Sequence, residues 1–239
     1  MHRQSSWKSR SAMSATLGLL LPLLAGCGSN GSGGSPSNPT APTLPTSQAG
    51  TMVVVASIAA DDASGSMSTS FTVSLADTGT GAAASGATVE FSTPGGTVSL
   101  TEDSGTPGTY RGSQSGHASG LYVLAVARGA DVASGSIDMP EAHAITSPAV
   151  GDTISSNGHL NVTWTRAVPA DEASVDSKDW NIGWVADDGS NKIPKGHNDA
   201  RNDQVVGVTR RNVDNPATMA PGSALQASVR VSVGPIVVQ

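Results

Sequence analysis

The sequence has one cysteine and few charges, and both shortages exclude classes of function. Cys27 is the single cysteine among 239 residues, so the chain has no intrachain disulfide, no CxxC motif and no cysteine-rich zinc site. Charged residues make up 13% of the chain, and 19 acidic residues outnumber 13 basic ones. Nucleic-acid binding depends on clustered Lys and Arg that neutralise phosphates, so this balance argues against a nucleic-acid partner.

A long hydrophobic run is also missing. The most apolar stretch, residues 17–24, is far shorter than the roughly 20 residues that a membrane-spanning helix needs. It follows a basic beginning, and the first acidic residue is Asp61. A basic start and a short apolar core are typical of a secretory signal peptide. The basic residues are His2, Arg3, Lys8 and Arg10.

The cysteine closes the motif Leu24-Ala25-Gly26-Cys27. This motif resembles the lipobox of bacterial lipoproteins, in which the cysteine thiol is joined to a diacylglycerol and becomes residue one after cleavage. The resemblance implies a signal peptide over 1–26, acyl chains such as palmitate on Cys27, and an anchor on the cell envelope. Each buried methylene contributes about 0.8 kcal/mol, so two chains hold firmly. Some lipoproteins have Asp after the cysteine; Gly28 at this position implies sorting to the outer membrane if the source is Gram-negative. The alternative to a lipobox is an ordinary secretory leader with an incidental cysteine.

The next segment, residues 27–50, is predicted to be a disordered tether. It consists almost entirely of Gly, Ser, Pro, Thr and Asn, which cannot bury enough apolar surface to fold. Removal of residues 1–26 would leave 10 basic residues against 19 acidic ones, a formal charge near −9. The tether would hold this acidic body away from the lipid surface.

From residue 51 onward the pattern predicts an all-β chain. Apolar residues alternate along short segments, as in Phe71, Val73 and Leu75, and turn residues separate these segments. Regular spacing favours two tandem immunoglobulin-like β-sandwiches, over 51–140 and 141–239. The predicted strands are 52–60, 70–76, 87–92, 97–100, 108–111, 121–127, 133–138, 160–164, 180–186, 204–209, 226–233 and 236–238.

Both halves resemble known surface modules. Ser85-Gly86-Ala87-Thr88-Val89, Gly108-Thr109-Tyr110 and Tyr122-x-Leu124-x-Val126 are similar to bacterial immunoglobulin-like and prealbumin-like domains. Leu160-x-Val162-x-Trp164 resembles an early strand of a fibronectin type III domain. These resemblances imply a fold and no activity.

Two polar segments have the composition of metal sites. Asp62-x-Ser64-Gly65-Ser66-Met67 spells the metal-adhesion motif of von Willebrand factor A domains, which leads into a helix. Here an alternating strand pattern follows, which favours a hairpin loop. The segment 197–203, near Asp187 and Asp188, is rich in Asp and Asn, but its spacing matches no calcium loop. We therefore predict no metal and no cofactor.

Trp180 and Trp184 are the candidate ligand-binding residues. On a strand they would lie about 13 Å apart and could stack on alternate rings of a polysaccharide. The alternation Trp180, Ile182, Trp184 equally describes a strand that faces the core, and we favour the core.

The sequence contains no HExxH, GxSxG or P-loop motif, and His117 has no acidic partner near it in sequence. The prediction is a non-catalytic envelope lipoprotein, held by lipid on Cys27, that serves as a structural or protein-interaction module. The alternative is a carbohydrate-binding module that uses the Trp-bearing second half.

Overall fold

A computed structural model describes residues 50–62 and 66–239, and every regular element in that part of the chain is a β-strand. The all-β class predicted from the sequence is thereby confirmed. No helix among the described residues is long and apolar enough to cross a membrane. The strands are β1 Met52–Asp61, β2 Ser68–Asp77, β3 Thr88–Thr93, β4 Gly96–Glu102, β5 Thr109–Ser115, β6 Gly120–Arg128, β7 Asp131–Met139, β8 Ile145–Ser147, β9 Thr153–Ile154, β10 Leu160–Trp164, β11 Glu172–Ser177, β12 Val185–Ala186, β13 Ser190–Ile193, β14 Arg201–Asp214 and β15 Ala224–Val238.

The first seven strands form an immunoglobulin-like sandwich. Strands β1, β2 and β5 pair side by side, β3, β6 and β7 form the facing layer, and β4 pairs with both β3 and β5. This is the ABED and CFG order of immunoglobulin constant-type domains. Alternate residues of the two layers meet in the core, where the Phe71 and Phe91 rings lie 5.1 Å apart.

The remaining strands form a second sandwich with its own core. Strands β8, β10 and β13 make a three-stranded sheet that faces the row β12-β11-β14-β15. Trp164 and Val162 of β10 are buried against Val175, Val206 and Val208 of the opposite layer. This order corresponds to the two layers of a fibronectin type III-like sandwich.

The hairpin of β14 and β15 belongs to both sandwiches. The first part of β15 pairs in parallel with β1, from Val55↔Ala224 to Asp61↔Arg230. Leu225 is therefore buried in the first core, whereas Ile236, farther along the same strand, is buried in the second. The two sandwiches share one continuous hydrogen-bonded sheet. The predicted boundary between residues 140 and 141 stays a prediction, with the addition that Met219 and residues of β15 complete the first core.

Three kinds of difference separate the predicted strands from those observed. A strand over 180–186 is wrong, because Gly183 has a positive φ of 73° and regular pairing covers Val185–Ala186 alone. Strands β8, β9, β11 and β13 were not predicted, since each is short and carries few apolar residues. Strands β14 and β15 are longer than predicted.

Candidate functional site

A groove of about 570 Å³ lies where the two sandwiches meet. Its apolar wall consists of Leu121, Val168 and Val213, whose exposed fractions are 53%, 60% and 39%. We call this feature the junction groove. Pro140 and Pro169 also line it, so apolar residues from four parts of the fold meet here.

The strand register explains why Leu121 faces solvent. Leu121 of β6 lies directly opposite Asp138 of β7, while the next residues, Tyr122 and Ile137, face each other in the core. Because successive side chains point to opposite faces of a sheet, the buried Tyr122 forces Leu121 outward. The Leu121 side chain is therefore placed outside by the same alternation that builds the core.

A fully satisfied ion pair supports one side of the groove. Arg210 of β14 and Asp187 have completely buried side chains, and their charged atoms lie 2.8 Å apart. Asp187 also accepts hydrogen bonds from the Trp164 indole N–H and the Ala170 N–H, both at 2.9 Å. Burial alone would raise the pKa of Asp187, but the hydrogen bonds from Ala170, Trp164 and Arg210 lower its pKa overall.

Arg210 and Asn212 hold the walls of the groove in place. The Arg210 guanidinium donates to the carbonyl oxygens of Glu141 and Val168, which belong to opposite walls. Two residues along β14, the Asn212 amide donates to the Asp138 carbonyl at 2.8 Å and accepts the Asp171 N–H at 3.1 Å. Both walls are thus tied to a single strand, and the groove is preformed.

Two histidines lie close to this junction. The Nε2 of His143 donates to the Val208 carbonyl at 3.0 Å, and its Nδ1 is buried without a partner. Burial, and after it the positive charge of Arg210, lower the pKa of His143 to about 4. Nε2 of His117 lies 2.9 Å from the Pro140 carbonyl, and burial lowers the pKa of His117 as well. Both rings contact backbone carbonyls, so their positions fit a structural role.

The predicted lipidation site lies outside the described residues. This applies to Cys27 and to Leu24, Ala25 and Gly26 of the lipobox. Residues 63–65 of the metal-adhesion motif are outside as well. The motif joins β1 to β2, an antiparallel pair, so a strand follows it and not a helix. Asp62 accepts a hydrogen bond from the Ser232 hydroxyl at 3.2 Å, which occupies the carboxylate.

The two candidate tryptophans lie in different environments. Trp180 is half-buried, packs against the second core, and lies 5.8 Å from the His197 ring. Trp184 is 41% exposed, and the Arg211 guanidinium lies 3.7 Å from the centre of its indole. The expectation that both face the core is wrong for Trp184, because positive φ at Gly183 breaks the strand alternation. Whether either residue binds a ligand stays a prediction.

The Asp- and Asn-rich segment 197–203 is tied down by protein contacts. Asp179 accepts hydrogen bonds from the Arg201 guanidinium and, at 2.8 Å, from the Gln204 amide. Asp203 pairs with Lys178 at 2.5 Å. Among the described residues, no group of three or more His, Cys, Asp or Glu side chains is arranged to hold a metal ion. Asp187, proposed to lie near such a site, is instead committed to Arg210.

Sequence reasoning missed the junction groove. Its walls come from β6, β7, the segment 168–171 and the end of β14, which are distant in sequence. The available signal was a pair of short segments, 138–141 and 168–171, in which a proline and an apolar residue lie next to an acid. Nothing local indicates that these runs meet.

No protein-family model and no curated protein matches this chain. Among solved structures it is similar to the BSP domain of a biofilm associated protein, with 20% identity over 76% of this chain and 29% of that one, and a TM-score of 0.26. It is also similar to the Yersinia pseudotuberculosis adhesin InvE, with 16% identity over 75% of this chain and 58% of that one, and a TM-score of 0.25. It is similar as well to the D0-D1 domain of Intimin, with 15% identity over 77% of this chain and 100% of that one, and a TM-score of 0.27. The chain thus spans less than a third of the first of these structures, and its fold assignment rests on its own strand order and cores.

Proposed function

We propose that this protein is a lipid-anchored, non-catalytic interaction module of a bacterial cell envelope. The lipobox at Leu24, Ala25, Gly26 and Cys27 supports the anchor, and the Gly-, Ser-, Pro- and Thr-rich composition of residues 27–50 supports a body held away from the lipid. Such a protein presents its folded part to neighbouring envelope components. Its binding surface is the junction groove.

The observation that carries this proposal is the concentration of exposed apolar side chains at one concave place. The large hydrophobic residues that are substantially exposed in the described part of the chain number six, and Leu121, Val168 and Val213 line the junction groove. Scattered exposed hydrophobics need no explanation, whereas a cluster in a preformed groove is typical of a binding site. Arg210 and Asn212 keep that cluster in shape without a ligand.

Site-specific cross-linking tests the binding surface. A photoreactive amino acid would replace Leu121 or Val168 in the full-length protein, and cells would be irradiated. The matched control is Val150, which is 66% exposed and does not line the groove. We expect adducts of defined mass at 121 and 168, abolished by Val213→Asp, and none at 150. Equal labelling at all three positions, or none at 121 and 168, would contradict the proposal.

The anchor is tested separately. Wild type and Cys27→Ala would be compared for incorporation of labelled palmitate and for partition into membranes. We expect the label and the membrane fraction in wild type alone. If the wild-type protein takes up no label, the anchor is contradicted and the protein is an ordinary secreted protein with the same groove.

Carbohydrate binding by the second sandwich is the second candidate. The observation that favours it is Trp184, an indole that is 41% exposed although the chain has few aromatic residues. Sugar rings stack on flat aromatic surfaces of this kind, which present apolar area and a polar edge. Retardation of wild type on polysaccharide-containing native gels, lost in Trp184→Ala and kept in Val150→Ala, would support this function.

A further inference from the structure

The rim of the junction groove is uniformly acidic. Asp138, Asp171 and Asp214 are exposed and Glu141 is half-buried, and all four line the groove. No Lys or Arg is among the residues that line it. The Asp171 carboxylate also has a structural role, because it accepts a hydrogen bond from the Val213 N–H at 2.9 Å.

These four carboxylates differ from most other acids of the described chain. Elsewhere carboxylates pair with Arg or Lys, as in Asp103 with Arg111 and Asp176 with Arg230. None of the ion pairs found in the described residues involves the four acids of the groove. The groove therefore carries negative charge that the protein itself leaves uncompensated.

The two arginines of β14 that precede Asn212 are committed to other partners. Arg210 is fully buried and pairs with Asp187. Successive residues of a strand face opposite sides, so Arg211, the next residue of β14, points away from Arg210. Arg211 pairs with Glu172 at 2.6 Å and lies over the Trp184 ring. Asp187 balances the charge of Arg210, although the Arg210 guanidinium reaches two carbonyls of the groove, and Glu172 balances the charge of Arg211.

We infer that the junction groove binds a cationic polypeptide segment, in which Lys or Arg side chains flank small apolar ones. This inference rests on the proposed docking role of the groove. Lys and Arg stems cover apolar surface while their charged heads reach carboxylates, which matches Leu121 and Val168 beside Asp138 and Asp171. A bare metal ion would make no use of the apolar wall. A second copy of this chain fits poorly, because its mature form has a formal charge near −9.

A short fluorescent peptide with Lys and Arg around Leu and Val is the probe, and its binding to detergent-purified full-length protein is followed by anisotropy. The groove variant is Asp138→Asn, Glu141→Gln and Asp214→Asn, which spares Asp171. The control variant, Glu90→Gln, Asp188→Asn and Asp199→Asn, makes the same change in net charge outside the groove. We expect binding about tenfold weaker for the groove variant and within about twofold of wild type for the control. Raising NaCl from about 50 to about 500 mM should weaken wild-type binding further.

The inference is overturned if the peptide does not bind wild type, if a Glu-substituted peptide binds equally well, or if both variants lose affinity alike. Its failure is distinguishable from that of the proposed function. Cross-links at Leu121 and Val168 that persist in the triple groove variant would keep the groove as a binding surface and exclude a cationic partner. Cross-links that vanish in that variant, and are retained in the control variant, would support both.

Discussion

Asp187 and Arg210 form an ion pair in which neither side chain is exposed to solvent. Such a pair stabilises the fold little more than two apolar residues in its place would. The loss of one member, however, leaves an uncompensated buried charge. We expect Asp187→Asn to lower the free energy of unfolding by about 3–5 kcal/mol. The surface pair of Lys178 and Asp203 is the control, since Asp203→Asn should cost less than about 1 kcal/mol. Urea denaturation measures both, and equal costs would contradict the role given to the buried pair.

His143 should make stability depend on pH. Its pKa is about 4 in the folded protein, because burial and then Arg210 disfavour the charged ring, against an ordinary value of 6.5. Between these values the unfolded chain binds more protons than the folded one, so stability falls as the pH drops from 6.5 towards 4. The total loss is about 3 kcal/mol. Thermal denaturation from pH 7 to pH 4 should give a shallower dependence in His143→Gln, and parallel curves would refute this assignment.

Gly135 tests the insertion of the β14–β15 hairpin into the first core. A Cβ atom at this position would lie 2.7 Å from Met219 Cε, 3.0 Å from Leu225 Cδ1 and 3.1 Å from Pro216 Cγ. We expect Gly135→Ala to destabilise the protein by about 1 kcal/mol, at the low end of overpacking costs, because the atoms that must give way are side-chain ends. In the control Gly95→Ala the nearest atom is 3.6 Å away, so the change should be small. A neutral Gly135→Ala, measured by thermal unfolding, would mean that the hairpin does not pack there.

The two buried tyrosines should differ in how much their hydroxyl groups contribute. The Tyr110 hydroxyl accepts the Ala87 N–H at 2.9 Å and donates to the Ala84 carbonyl at 3.2 Å. The Tyr122 hydroxyl donates to the Ala118 carbonyl at 2.8 Å. We expect Tyr110→Phe to cost about 2–3 kcal/mol, since two backbone groups lose a partner, and Tyr122→Phe about 1 kcal/mol. Chemical denaturation of both variants decides the order.

The strands of the first half could be predicted because the alternation within each strand's own sequence indicates which of its side chains are buried. Phe71, Val73 and Leu75 alternate with polar residues, and the structure buries all three side chains in β2. A two-residue period needs no knowledge of distant partners. The class of the fold followed from many such segments and the turns between them.

The site could not be predicted in the same way, because its parts meet through tertiary pairing. Asn212 contacts Asp138 across 74 positions of sequence, and nothing local marks either residue. The prediction that Trp184 faces the core was wrong for a related reason. Its apolar alternation is genuine in sequence, but positive φ at Gly183 redirects the chain and leaves Trp184 outside.

The parallel pairing of β1 with β15 also joins the two ends of the described fold. The Val54 N–H donates to the Ser223 hydroxyl, a residue 169 positions later, and contacts of such long range are slow to form. Neither core is complete until the hairpin of β14 and β15 has been synthesised. Met219 and the β15 side chains Leu225, Ala227 and Val229 therefore join the first core only after its own seven strands have been synthesised. Strand β15 is thus the element whose pairing completes both sandwiches.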